Sequence, residues 1–303
     1  MPLAPAPSLP IVRKLLLQLD SSPHPSVFDR IVALDGGADE VMSYGGITED
    51  AVRDLVHGTI FTRGAKDLHN TAIFIGGTDM ATGERLLAAV RKAFFGPMRV
   101  SVMLDSNGSN TTAVAAVAKL QHAADPAGQI KGVRAVITAG TGPVGLRAAG
   151  LLAQAGANVV LTSRRPLDPK VVEGIRQRFG GTVSAVTFSD DSQAPALLEG
   201  AERLLNAGPA GVRLVPHSSW AGRAGLRAAA DLNAVPPLGV EGIEVTDDGK
   251  ERDGVKVFGA LGVGGLKMKI HKACIARLFE QNDLVLDAET IAEIARTLAA
   301  PKT

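Results

Sequence analysis

A glycine-rich segment between an apolar run and an Ala/Leu-rich run constrains the fold of this chain most. The apolar run, residues 133–139, predicts a strand, and residues 143–155 predict a helix. Gly140 permits the tight turn between them, Gly142 lets a ligand approach the backbone, and Gly145 permits close helix–strand packing. The segment consists of Gly140, Thr141, Gly142, Pro143, Val144 and Gly145.

This strand–turn–helix order is the context that a dinucleotide-binding fingerprint requires. Pro143 suits the first helical turn, where its missing N–H loses no hydrogen bond. The free N–H groups and the helix dipole at that end favour a diphosphate. We therefore expect a dinucleotide here; a tight turn without a ligand is the alternative.

The acidic residue that usually contacts the ribose of NAD, about 20 residues after the glycines, is absent. The predicted strand 158–162 is instead followed by Ser163, Arg164 and Arg165. Because an arginine forms charge-assisted bonds with phosphate, the sequence predicts NADP rather than NAD. Arg164 and Arg165 are both candidates for this contact. Arg164, nearer to the strand end, is favoured, and Thr162 and Ser163 would add hydroxyl donors. A solvated basic turn is the alternative.

A later Gly/Pro turn offers a second approach to the cofactor. It follows the predicted strand 202–207, and its small residues would let a nicotinamide ring come close to the backbone. An ordinary turn explains the pattern equally well. The cofactor contacts expected here are Asn206, Ala207 and Gly208.

Predicted strands and helices alternate along most of the chain, which indicates an α/β architecture of parallel strands covered by helices. The length, 303 residues, favours two domains. We predict a Rossmann NADP-binding domain at 109–265 and a discontinuous α/β substrate domain at 1–108 and 266–303. Helices 109–123 and 265–280 would cross between the two lobes, and a final helix, 288–299, would pack on the first lobe. Residues 247–254 read as a surface turn.

Composition excludes several classes of protein. The net charge is +1 and aromatic residues make up 4% of the chain, which disfavours nucleic-acid binding. The single cysteine, Cys274, can form no internal disulfide, which fits a cytoplasmic location, and no apolar run is long enough to span a membrane. Residues 1–10 read as a Pro-rich tail rather than a signal peptide. No pattern indicates a metal site or an acyl-enzyme nucleophile.

A dense polar run, residues 105–112, links a predicted strand to a crossing helix. Helix capping explains one of these residues but not all eight, so we expect ligand contacts there. Near the C-terminus, Lys267 and His271 lie one helical turn apart in a helix whose buried stripe includes Cys274. A solvated basic face is the alternative for this pair. The substrate-side candidates are Asp20, Asp105, Ser106, Asn107, Asn110, Lys267 and His271.

Over residues 14–298 the chain resembles the NADP-dependent methylene-tetrahydromethanopterin and methylene-tetrahydrofolate dehydrogenases of methylotrophic bacteria. The long C-terminal stretch is far more specific to this family than the glycine loop. The resemblance rests on DGGAD (35–39), TAIFIGG (71–77), MLDSNGSNTT (103–112), AGTGPVG (139–145), DLNAVPPLG (231–239) and FGALGVGGLKMKIHKACIARLFE (258–280).

The resemblance implies NADP and a pterin bound between two lobes, a homo-oligomer expected to be a trimer, and one-carbon oxidation in the cytoplasm. A hydride would pass from the methylene bridge to the nicotinamide, without metal or flavin. Pterin contacts carried over by position are Asp20, Asp105, Asn107 and Lys267. Because no proton moves at the reacting carbon, general acid–base catalysis is not required there. Lys267 is expected in the catalytic site, binding a pterin carbonyl or polar tail.

Two other functions stay open. An NADP-linked dehydrogenase of another small substrate, such as shikimate, shares the two-lobe plan but usually has a Lys–Asp pair in its first lobe. Here the adjacent pair is Lys66 and Asp67, in what reads as a turn. An NADPH-binding sensor without a substrate site is disfavoured by the polar run at 105–112.

Overall fold

The computed structural model describes residues 12–123 and 127–299, so the Pro-rich tail expected at residues 1–10 lies outside the described residues. The chain forms two compact units. Within the described residues, the first comprises 12–107 and 272–286, and the second comprises 108–123, 127–271 and 287–299.

Strands and helices alternate through both units. Up to residue 107 they are β1 (Leu15–Asp20), α1 (Val27–Asp35), β2 (Glu40–Tyr44), α2 (Glu49–Ile60), β3 (Thr71–Gly76), α3 (Met80–Ala93) and β4 (Ser101–Leu104). Beyond it they are α4 (Ser109–His122), β5 (Arg134–Thr138), α5 (Pro143–Gln154), β6 (Asn158–Ser163), α6 (Pro169–Phe179), β7 (Thr182–Thr187), α7 (Ala194–Leu197), β8 (Arg203–Asn206), α8 (His217–Trp220), β9 (Ala228–Asp231), β10 (Asp248–Arg252), β11 (Val255–Phe258), α9 (Ala260–Leu278), β12 (Val285–Leu286) and α10 (Ala288–Ala299).

The first unit contains a five-stranded parallel sheet in the order β12-β4-β3-β1-β2. All six residues of β3 are buried, as expected of a central parallel strand covered on both faces. In α2, Val52, Val56 and Ile60 are fully buried at intervals of four residues, so this helix packs one apolar side into the core.

The second unit contains a seven-stranded sheet in the order β10-β11-β9-β8-β5-β6-β7, parallel except for β10. β5 is an interior strand, with β6 on one side and β8 on the other. This strand order creates a crevice at the carboxyl end of β5, where an open α/β sheet binds its ligand. The α/β Rossmann-type fold class expected from the sequence is therefore confirmed.

Helix α9 begins at Ala260 and not at residue 265, so it includes Gly262, Gly264 and Gly265. A Cβ at Gly259 would lie 2.0 Å from the carbonyl oxygen of Glu244, and one at Gly262 would lie 2.0 Å from that of Asp247. These glycines therefore allow the first turns of α9 to pack against the backbone of residues 244–247.

The surface turn expected at 247–254 is wrong, because most of that stretch is strand β10, which pairs with β11. The hairpin turn lies at Asp253 and Gly254, which both have positive φ. Asp247 anchors the hairpin, since its carboxylate accepts two hydrogen bonds from the Arg252 guanidinium, at 2.7 and 2.9 Å. β10 is an edge strand with charged residues at every position but Gly249, which explains why the strand was missed.

The final helix packs on the second unit rather than on the first lobe as expected. Its buried Ile291 and Ala295 lie on the side of α10 that contacts α4 and α5. Arg178 of α6 also binds Glu289 through two hydrogen bonds, at 2.7 and 2.8 Å. Residues 287–299 thus belong to a different compact unit from the one predicted. The assignment of a substrate domain and an NADP domain stays a prediction.

No helix among the described residues is long and apolar enough to cross a membrane.

Candidate functional site

Two of the three glycines in the loop between β5 and α5 are required by packing. A Cβ at Gly140 would lie 2.0 Å from Cδ2 of Leu161, and one at Gly145 would lie 2.6 Å from Cα of Gly140. A Cβ at Gly142 would meet no atom within 4 Å. Gly140 and Gly145 therefore keep the helix against the strand, while Gly142 leaves open space at the helix N-terminus for a ligand.

Thr162, at the end of β6, holds this loop in place. Its Oγ1 accepts a hydrogen bond from the N–H of Ala139 (3.1 Å), and its carbonyl accepts one from the N–H of Gly140 (3.0 Å). Thr162 is buried, and the Ser163 hydroxyl donates to the carbonyl of Arg165. Both hydroxyls thus support the local backbone, and their predicted contact with a phosphate stays a prediction.

A cavity of about 380 Å³ lies at the carboxyl ends of β5, β6 and β8. Its walls come from the glycine loop, from the turn after β6 and from the turn after β8, so three of the predicted cofactor segments border one space. The lining residues predicted from the sequence are Thr141, Gly142, Thr162, Ser163, Arg164, Ala207 and Gly208.

The two arginines after β6 differ in position. Both side chains are exposed, but Arg164 lines the cavity and Arg165 does not. Among the residues that the structure describes, neither guanidinium forms an ion pair or a hydrogen bond. Arg164 is therefore a cation at the cavity edge whose donors are available to an anionic ligand.

Asn206, which we expected to contact the cofactor, is fully buried and does not line the cavity. Its Oδ1 accepts from Oγ1 of Thr138 (2.8 Å), and its Nδ2 donates to Oδ1 of Asp231 (2.7 Å). Sequence reasoning missed Asp231. The signal that could have found it is an acidic residue ending an otherwise apolar strand beside the glycine loop.

In the first unit, Asp20 and Ser106 lie on either side of Gly76, at the carboxyl ends of parallel strands. Ser106 donates to the carbonyl of Gly76 (2.9 Å), and a Cβ at Gly76 would lie 3.1 Å from Oδ2 of Asp20. The Asp20 carboxylate also accepts bonds from the N–H groups of Ser22 (2.8 Å) and Ser26 (3.1 Å), so it organises the turn into α1.

Asp105 and Asn107 lie at the same edge of the first sheet. Asp105 is fully buried at the end of β4, and its N–H donates to the carbonyl of Ile75 (3.1 Å). Asn107 is exposed and has φ 55°, and Gly108 after it has φ 60°, so the chain turns sharply here. Asp20, Asp105, Ser106 and Asn107 thus share one edge of the first sheet, as the carboxyl ends of parallel strands require.

The remaining substrate candidates belong to the second unit. Asn110 on α4 is fully buried and accepts from Nε of Arg147 (3.2 Å). Lys267 on α9 is half-buried, and its Nζ lies 3.5 Å from where a Cβ at Gly108 would be. Lys267 lies about two turns inside α9. The effect of the helix dipole is confined to the first turn, so it does not predict an anion beside Lys267.

His271 and Cys274 are both buried on α9. Burial and the charge of Lys267 lower the pKa of His271 to about 3, so the ring is neutral at physiological pH. Burial and the negative charge of Asp105 raise the pKa of the Cys274 thiol well above its usual value. Cys274 thus has the properties of a packing residue, as expected, and not of a nucleophile.

Among the described residues, no group of three or more His, Cys, Asp or Glu side chains is arranged to hold a metal ion.

Comparison with known proteins decides the family. Residues 27–107 match the signature of "Methylene-tetrahydromethanopterin dehydrogenase, N-terminal". The bifunctional protein MdtA of Methylorubrum extorquens is 51% identical over 289 residues, covering 95% of this chain and 99% of the relative. An NAD(P)-dependent methylenetetrahydromethanopterin dehydrogenase of the same organism is 33% identical over 300 residues, covering 95% of this chain and all of that protein.

The chain belongs to the methylene-tetrahydromethanopterin dehydrogenase family. The resemblance inferred from the sequence is therefore confirmed, as is the expected class of enzyme, an NAD(P)-dependent oxidoreductase. A shikimate 5-dehydrogenase from Listeria monocytogenes, solved with shikimate and NAD, shares the fold with a TM-score of 0.53. It is 13% identical, and the match covers 97% of this chain and 99% of that one, so it shows the fold alone.

Proposed function

We propose that this enzyme oxidises the methylene group of methylene-tetrahydromethanopterin, methylene-tetrahydrofolate or both to the methenyl form, with NADP as hydride acceptor. The observation that carries the proposal is the cavity where the open space at Gly142 and the Arg164 guanidinium meet. A diphosphate suits the N-terminus of α5, and a 2′-phosphate suits the arginine. The substrate class follows the family signature and the name of the NAD(P)-dependent relative.

The glycine loop and the segment after β8 would hold the nucleotide, with Ala207 and Gly208 leaving room beside the backbone. When bound, NADP supplies a nicotinamide carbon that accepts the hydride. The remaining task of the chain is to hold the two reacting carbons in contact, within about 3–3.5 Å, and to exclude water that would hydrolyse the methenyl product.

The polar edge of the first sheet would supply the pterin contacts. Asp20 or Asp105 would accept hydrogen bonds from an amino-pyrimidine edge, and Asn107 carries an exposed amide. Lys267 would bind a pterin carbonyl or a polar tail group. Its ammonium would not stabilise the growing methenyl cation, so its contribution is binding and orientation. We also propose that the enzyme is a homotrimer located in the cytoplasm.

NADPH formation with each carrier in turn tests this function. The purified enzyme is mixed with NADP and either methylene-tetrahydromethanopterin or methylene-tetrahydrofolate, and absorbance of NADPH is followed. Turnover with at least one carrier is expected. A parallel assay with shikimate tests the alternative dehydrogenase, and nucleotide binding without turnover on any substrate would favour the sensor.

A further inference from the structure

A buried polar network lies directly beneath the wall of the cavity that the segment after β8 forms. It joins the carboxyl ends of three strands: Thr138 ends β5, Asn206 ends β8 and Asp231 ends β9. All three side chains are buried, with at most 1% of their surface exposed. Such a network is stable only when every member is satisfied, so its geometry is strongly specified.

The hydrogen bonds of Asn206 fix the orientation of its side-chain amide. Its Oδ1 accepts from Oγ1 of Thr138 (2.8 Å) and from the N–H of Gly208 (3.2 Å), while its Nδ2 donates to Asp231 (2.7 Å). Gly208 and its neighbour Ala207 line the cavity. The amide therefore ties the cavity wall to the strand that leads into the glycine loop.

Asp231 receives donors on both of its oxygens. Oδ1 accepts from Nδ2 of Asn206 and from the N–H of Asn233 (3.0 Å), and Oδ2 accepts from the N–H of Val240 (2.9 Å). Three donors around one buried side chain require acceptors on both sides, which a carboxylate offers and an amide does not.

Asn233 extends the network to Pro209 in the cavity wall. Its Nδ2 donates to the carbonyls of Pro209 (3.4 Å) and Pro237 (3.3 Å), and Pro209 lines the cavity. A Cβ at Gly239 would lie 1.8 Å from Nδ2 of Asn206, so the segment after β9 packs directly on the network.

We propose that Asp231 is a positioning residue for the dinucleotide: through Asn206 and Asn233 it fixes the Ala207–Pro209 wall against which the nicotinamide end binds. This inference rests on the proposed function, because it assumes that the cavity takes NADP. Asp231 itself does not line the cavity, so it acts through the backbone that it holds.

The test compares Asp231→Asn with Asp247→Asn in the full-length enzyme. Asp247 is the matched control because it is also buried, lies in the same unit and accepts three N–H donors, but it does not line the cavity. NADPH affinity is measured by calorimetry at a temperature well below both melting temperatures, and the KM values and kcat are measured with the methylene carrier.

Asp231→Asn is expected to raise the Kd for NADPH by about tenfold, because the Ala207–Pro209 wall is no longer held in its binding position. It should also raise the KM for NADP and lower kcat, with the KM for the methylene carrier unchanged. Asp247→Asn should leave the nucleotide affinity unchanged. Equal affinities in Asp231→Asn and the unmodified enzyme, or equal losses in both variants, would overturn the inference.

Exchange of the two side chains gives a further readout. In Asn206→Asp/Asp231→Asn the donor and acceptor between the two residues are reversed, so that bond can form again, and part of the lost affinity should return. A double variant that binds NADPH no better than Asp231→Asn would argue against positioning. If Asp231→Asn does not fold, Asn233→Ala, which removes the bonds to Pro209 and Pro237, serves in its place with the same expected loss of affinity.

Failure of the two proposals can be told apart. If the unmodified enzyme binds neither NADP nor NADPH, both the proposed function and this inference are wrong. If the unmodified enzyme binds NADPH and Asp231→Asn binds it with equal affinity, only the positioning role of Asp231 is wrong.

Discussion

Gly145 lies so close to Gly140 that a Cβ on it would be 2.6 Å from the Gly140 Cα. The first turn of α5 therefore packs directly on the turn that leaves β5. Gly142, between them, has open space around it and φ −75°, which any residue can adopt. The same short segment thus contains a glycine required by packing and a glycine that packing does not require, and substitution distinguishes the two.

Gly145→Ala should destabilise the free enzyme by about 1–3 kcal/mol, the usual effect of forcing atoms into a filled space. Gly142→Ala should change the free energy of unfolding by less than about 0.5 kcal/mol, because its Cβ meets nothing. Gly142→Ala should nevertheless weaken NADP binding, since the methyl group occupies the space that the diphosphate needs. Urea unfolding and calorimetry of both variants check this, and unimpaired NADP binding by Gly142→Ala would contradict it.

Arg164→Ala tests the preference for NADP. Loss of a charge-assisted bond to the 2′-phosphate should raise the KM for NADP by roughly tenfold to a hundredfold and hardly change the KM for NAD. Arg165→Ala is the matched control, because Arg165 is exposed next to Arg164 but does not line the cavity. Steady-state kinetics with NADP and with NAD measure these KM values. An equal effect of Arg164→Ala on the KM for NADP and the KM for NAD would refute the assignment.

The loop between β5 and α5 could be predicted because the fingerprint is local. The strand, the glycine loop and the helix follow one another in the chain, and Gly140 and Gly145 each have a steric reason. The network of Thr138, Asn206 and Asp231 could not be predicted in the same way. Its members end three different strands, so their contact depends on the order of strands in the sheet.

Elements whose position depends on distant packing were also predicted poorly. β12 has only two residues, Val285 and Leu286, and exists because it pairs with β4. The sequence predicts a helix beginning at residue 265, but α9 begins at Ala260, where the backbone of residues 244–247 lies against Gly259 and Gly262. In both cases a tertiary contact overrides the local preference of the residues.

Lys267→Ala tests the substrate side. We expect lower turnover and a higher KM for the methylene carrier, with the Kd for NADP unchanged, because the ammonium is assigned to the pterin and not to the nucleotide. Lys269→Ala is the control, since Lys269 is exposed on the same helix. Full activity of Lys267→Ala would remove this residue from the site, and a selective loss of NADP affinity would assign it to the cofactor instead.

His271 should make the folded enzyme sensitive to acid. Its pKa is about 3 in the folded chain and 6.5 when unperturbed, because burial and then the charge of Lys267 disfavour the imidazolium. Between these two values the unfolded state binds the extra proton. Stability contributed by the neutral ring is therefore fully present above pH 6.5 and falls as pH drops towards 3. The slope for one such group is about 1.4 kcal/mol per pH unit.

Urea unfolding at a series of pH values should show this slope in the free energy of unfolding of the unmodified enzyme. The His24→Asn variant, in which the replaced histidine is exposed, should show the same slope, and His271→Asn should show a shallower one. Carboxylates titrate in all three proteins, so their effect cancels in the comparison, and parallel curves for the unmodified enzyme and His271→Asn would show that the buried ring is not the cause.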